Sequence, residues 1–124
     1  MGNTFFIASM SNPLFLIPAL TGGIFILVGL IMKYFPPKEI NGLYGYRTNR
    51  SMKNKTAWDF AQKYAAAQML VFGTLLVFFS LLGFYFTLGE ETALVIGLGE
   101  MLLATLIMIA RVERKLKDKF GDHK

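Results

Sequence analysis

Residues 65–88 read AAAQMLVFGTLLVFFSLLGFYFTL, 24 positions without one ionised side chain. A run of that length crosses a hydrocarbon core of about 30 Å as a helix, since a helix satisfies its own backbone hydrogen bonds where water is absent. Working outward, the stretch from Pro13 to Phe35 is equally apolar, opens on Asn12 as a cap with Pro13 in the first helical position, and stops at Phe35-Pro36-Pro37. Pro18 falls in its first turns, where its cost is small. Beyond Leu88, Gly89-Glu90-Glu91 makes a short connection, so the next helix runs antiparallel. That helix crosses between Ala93 and Ala110 and is interrupted by a single acid, Glu100. The fold class is therefore all-α: one three-helix integral membrane domain over 1–124, with spans near 13–35, 65–88 and 93–110. A polar segment occupies 36–64 and a basic tail 111–124.

Composition agrees, with 54% hydrophobic residues and a mean hydropathy of +0.47. A small soluble domain could not hide that much apolar surface. The net charge of +5 raises the question of nucleic acid, but all 13 Lys and Arg residues sit in just two segments, Lys33 to Lys63 and Arg111 to Lys124. Such clustering marks membrane topology, and no nucleic-acid partner is expected. Three crossings bring both basic segments to one side, so the N-terminus is expected outside and the C-terminus in the cytoplasm, with the protein in the cytoplasmic membrane. The same segments are expected to attract anionic lipid. Cys is absent and His123 is the one His. Thiolate or multi-His metal sites and His catalysis are thus not expected, and no cofactor is. The N-terminus lacks the basic region of a signal peptide, Phe6 stands where myristoylation needs Ser or Thr, and Phe5 to Met10 is expected at the outer interface. Val112, Leu116 and Phe120 extend the third helix into the interface with one apolar face, and Gly121 suits its end.

Between the first two spans lies NGLYGYRTNRSMKNKTAWDFAQKY, residues 41–64. If the second helix starts near Ser51, then Ser51, Asn54, Trp58, Ala61, Ala65 and Gln68 share an arc of about 100°. Thr48, Asn49 and Ser51 are all acceptable caps, and Gly42 and Gly45 allow a tight turn in front. A helix N-terminus beside Arg47, Thr48, Ser51 and Asn54 could hold an anion, such as a lipid phosphate, a nucleotide or an acidic partner segment. The competing reading is that these residues cap the helix and pin the loop, with Trp58 at the interface level.

Asn41, Gly45-Tyr46-Arg47-Thr48, Ser51, Asn54, Trp58 and Ala61 resemble the signature of the SdpI family of small bacterial membrane proteins, N-x-x-x-G-Y-R-T-x-x-S-x-x-N-x-x-x-W-x-x-A. The likeness runs from about Lys33 to Ala110. It implies a three-helix membrane module with the signature facing the cytoplasm. It also implies a role of the kind associated with that family, immunity to secreted peptide toxins and signalling from membrane to transcription. A peptide toxin or a cytoplasmic protein would then be the partner. Larger members carry further N-terminal membrane helices, which are not expected here, so the resemblance speaks more strongly for fold than for immunity.

Glu100 is the second candidate. It lies near mid-bilayer, where an ionisable side chain is costly and is by default a functional hypothesis. Ala93, Gly97, Ala104 and Arg111 share its face, which should therefore turn into the bundle or toward a second protomer of a homo-oligomer. Thr21 and Thr74 come to the same depth, and Gln68 would need a water link. The structural reading makes Glu100 a neutral interhelical hydrogen-bond donor, and the functional reading makes it a proton- or ligand-coupled carboxyl. The alternative to the immunity reading is accordingly a small transport or lipid-binding module using Glu100 and Arg47. No enzyme motif is present and no catalytic residue is assigned.

Overall fold

The computed structural model describes residues 10–121 and, over them, contains helices and no strand. The first helix, α1 (Pro13–Tyr34), starts where Asn12 Oδ1 accepts from the backbone N–H of Leu14 at 3.0 Å. Phe35 closes it by donating to the Ile31 carbonyl, and Pro36 and Pro37 then forbid continuation. The second, α2 (Lys55–Ser80), passes into a 3₁₀ turn (Leu81–Phe84), and α3 (Glu90–Phe120) follows. All three are long and apolar enough to cross a membrane.

Close approach decides how α1 and α2 cross. A Cβ on Gly22 would sit 2.5 Å from the Gly73 carbonyl oxygen, and one on Gly73 would sit 2.7 Å from that of Gly22. The backbones touch there because both side chains are absent. At the far end, Asn12 Nδ2 donates to the Gly83 carbonyl at 3.2 Å, and the Phe15 ring meets Phe84 edge-on at 4.8 Å. This packing converts the end of the expected second span into the 3₁₀ turn, so that Tyr85 to Leu88 are not helical.

Outside the bundle the helices are plainly apolar. Leu20, Ile24 and Leu27 on α1, Phe78 on α2, and Val95, Leu102, Leu103 and Leu106 on α3 are all exposed. A soluble protein does not present so large a continuous apolar surface, whereas lipid tails cover it at no cost. The buried residues cluster at the basic end: Met32 from α1, Ala61, Ala65 and Ala66 from α2, Val112 and Leu116 from α3. The continuation of α3 through Val112, Leu116 and Phe120 packs on protein, with the Phe120 ring 5.6 Å from Phe60. Gly121 ends α3 with φ +79°. Met10 apart, the expectation for Phe5 to Met10 lies outside the described residues, as does His123.

Candidate functional site: a loop clamped onto the third helix

The segment between α1 and α2 is held at each end by backbone acceptors. Trp58 is fully buried, and its Nε1 donates to the Pro37 carbonyl at 2.7 Å across 21 residues. Asn41 turns the chain, its Oδ1 accepting from the N–H groups of Leu43 (2.9 Å) and Tyr44 (2.7 Å). Tyr44 reaches back to the Phe35 carbonyl with its hydroxyl. Gly45 then adopts φ +111°, and a Cβ on it would come within 2.7 Å of both Gln62 Oε1 and Pro37 Cγ. Conformation and space together therefore require glycine. Just past it, the buried Gln62 amide brackets Tyr46, accepting from its N–H at 2.7 Å and donating to its carbonyl at 2.9 Å.

Two signature residues, Tyr46 and Thr48, and the nearby Arg50 converge on an acid of α3. Tyr46 donates its hydroxyl to Glu113 Oε2 at 2.7 Å, Thr48 donates to the same oxygen at 2.8 Å, and Arg50 Nη1 lies 3.4 Å from Oε1. Charge-assisted hydrogen bonds of this kind are roughly twice as strong as neutral ones. Burial, followed by the bond to Glu113 and its charge, holds the Tyr46 phenol far above its ordinary pKa, against smaller opposing effects of Thr48 and Arg50. Ser51, fully buried, accepts from the Thr48 N–H at 2.8 Å, and its hydroxyl lies 3.0 Å from the Tyr46 carbonyl. Asn54 caps α2, accepting from the Ala57 N–H at 2.8 Å.

The second helix therefore begins at Lys55, after Asn54, and not near Ser51. Ser51 belongs to the loop, and the face expected to carry it consists of the buried Trp58, Ala61, Ala65 and Gln68. Of the residues expected around an external anion, Thr48 turns its hydroxyl onto an internal one, the Glu113 carboxylate, while Ser51 bonds within the loop and Asn54 caps α2. Arg47 is the exception among them. Its Nε donates to the Asn41 carbonyl at 2.9 Å, and the side chain is exposed.

Gln68 and Glu100 sit apart from this clamp. Gln68 Oε1 accepts from Arg111 Nε at 2.9 Å, which ties α2 to α3. Thr74, expected beside Glu100, is exposed and donates to the Leu70 carbonyl of its own helix. Glu100 Oε2 is buried without a hydrogen-bond partner among the described residues. Thirteen positions separate Glu100 from Glu113, about 20 Å of helix, so Glu100 and the Arg47 loop do not share one site.

Sequence reasoning missed Glu113 and Gln62. Each had a signal: Gln62 falls one turn from Trp58, and Glu113 stands beside Val112 on the buried stripe of α3. Glu113 read as one more charge of the tail because its neighbours Arg111, Arg114 and Lys115 are basic.

The SdpI/YfhL protein family matches residues 38–111, which contain the loop from Lys38 onward, α2 and α3 up to Arg111. A relative, the "Uncharacterized protein YfhL" of Bacillus subtilis (strain 168), is 48% identical over 52 residues, 42% of this chain. That match covers 47% of YfhL, so the chain spans about half the length of this curated relative. No solved structure matches.

Proposed function

The chain belongs to the SdpI/YfhL family, and from that premise we propose that it is a non-enzymatic, multi-pass protein of the bacterial cytoplasmic membrane, of the toxin-immunity or signalling type. The observation that carries this reading is the clamp of Tyr46, Thr48 and Arg50 on Glu113. It makes the signature a rigid surface joined to α3, so an event that moves α3 in the membrane moves the loop with it. In this reading the loop and tail face the cytoplasm, in keeping with their basic charge. Arg47 is the side chain offered to a partner or anion, and Asn41, Tyr46, Thr48, Ser51, Asn54 and Trp58 hold it in place.

The partner is a membrane-active peptide toxin or a cytoplasmic protein. Expression in toxin-sensitive bacteria tests the immunity form directly. The intact chain should raise survival under a secreted peptide toxin, and Arg47→Ala should lose that protection at unchanged membrane abundance. An intact chain that gives neither protection nor an Arg47-dependent change in transcription would remove both forms of the proposal.

A further inference from the structure

Asn41 is the one asparagine of this chain that is followed by glycine. Asn12 and Asn54 also accept from backbone N–H groups, but Pro13 follows the first and has no N–H, and Lys55 follows the second. At Asn41 the side chain curls forward over Gly42. Its Oδ1 accepts from the N–H groups of Leu43 at 2.9 Å and Tyr44 at 2.7 Å, and its Nδ2 donates to the Glu39 carbonyl at 2.9 Å. The side-chain carbonyl carbon is thereby folded back toward the backbone nitrogen of Gly42, and a single new bond between them closes a cyclic imide. Two N–H groups on one carbonyl oxygen also stabilise the negative charge that develops there when a nucleophile adds to the carbon. Gly42 itself is exposed, and the space where a Cβ would stand is open, so nothing shields its nitrogen.

We propose that Asn41-Gly42 is a site of spontaneous deamidation whose isoaspartate product ties up Arg47. The Gly42 nitrogen gives its proton to water and bonds to Asn41 Cγ. The Cγ–Nδ2 bond breaks, and Nδ2 leaves as ammonia with a proton returned from water. A second water then opens the imide, its hydroxyl going to a carbonyl carbon and its proton to the Gly42 nitrogen. Opening at Cγ gives aspartate, whose carboxylate keeps the N–H groups of Leu43 and Tyr44. Opening at the main-chain carbon gives isoaspartate, and the oxygen to which Arg47 Nε donates at 2.9 Å becomes part of a carboxylate. A charge-assisted bond replaces one to a neutral acceptor and holds the guanidinium against the turn. The reaction does not depend on the immunity or signalling role.

The test is incubation of the intact chain in mild detergent at physiological pH and temperature, beside the same chain unfolded in urea. Digestion with a lysine-specific protease then yields the peptide 39–53, which carries Asn41 and Arg47 together and is read by mass spectrometry. The folded chain should give two products, each heavier by one mass unit and separable by chromatography, at least as fast as the unfolded chain. Gly42→Ala, whose methyl meets nothing within 4 Å, should slow the conversion by about fivefold or more while thermal unfolding stays that of the parent. Phenylglyoxal applied to the aged chain before digestion should modify Arg47 less in the isoaspartate peptide than in the unaltered one. Slower conversion in the folded chain than in the unfolded one would overturn the proposal, since the hydrogen bonds would then protect Asn41. Equal rates in Gly42→Ala and the parent would do the same, and equal modification of Arg47 in the two peptides would overturn its link to the turn.

Discussion

Removing the Glu113 carboxylate strands two half-buried hydroxyls, Tyr46 and Thr48, that both donate to it. Glu113→Ala should therefore cost about 2 kcal/mol in thermal unfolding, a figure that discounts charge-assisted bonds for partial exposure. The same contact sets a pH limit. The docked Tyr46 phenol keeps its proton at pH values where an undocked phenol, with its ordinary pKa of 10.0, has lost it. Docking is consequently at full strength below about pH 10 and weakens as pH rises further. Fluorescence of Trp58, the single Trp, should report an alkaline release of the loop, and Tyr46→Phe should abolish that pH dependence. Glu100 behaves oppositely as a residue. Its buried Oε2 has no partner among the described residues, so Glu100→Leu should leave stability unchanged or raise it by about 1 kcal/mol. A loss of stability in Glu100→Leu would show that the carboxyl holds a structural bond.

Among the elements, the α1–α2 crossing is the least tolerant of added volume. Gly22→Ala places a methyl 2.5 Å from a backbone oxygen that cannot move independently of α2, so the helices must separate. The expected cost is about 1–3 kcal/mol, visible as a lower melting temperature in detergent, and Gly23→Ala should be neutral because nothing lies within 4 Å of its Cβ position. These elements were largely legible beforehand, since uninterrupted apolar runs bounded by Asn12-Pro13, Phe35-Pro36 and Gly89 mark helix ends through local chemistry. The start of α2 was not. Thr48, Asn49, Ser51 and Asn54 can all cap a helix, and Gln62 and Glu113, residues distant in sequence, draw Tyr46 to Ser51 into the loop and leave the cap to Asn54. Site residues were legible as a group because their spacing is so regular. Their direction was hidden, because an acid 65 residues beyond Thr48 decides it.

At the scale of the whole molecule, orientation is the property that a native chain without cysteine makes easy to measure. Single cysteines placed at Lys53 and at Glu91, both exposed, lie at opposite ends of the bundle. With the loop in the cytoplasm, a membrane-impermeant maleimide should label the Glu91 position in intact cells and the Lys53 position only after lysis. Labelling in the reverse order would invert the topology. The clamp also fixes an order of assembly. Pro37 and Trp58 are 21 residues apart and can pair early, whereas the acceptor for Tyr46 is made 67 residues later. At about 5–20 residues per second, the ribosome leaves the loop half-built for roughly 3–13 s. During that interval α1 and α2 can meet through Gly22 and Gly73, while the loop stays open until α3 has been threaded into place. Closure of the loop is thus a report that the third helix has been inserted.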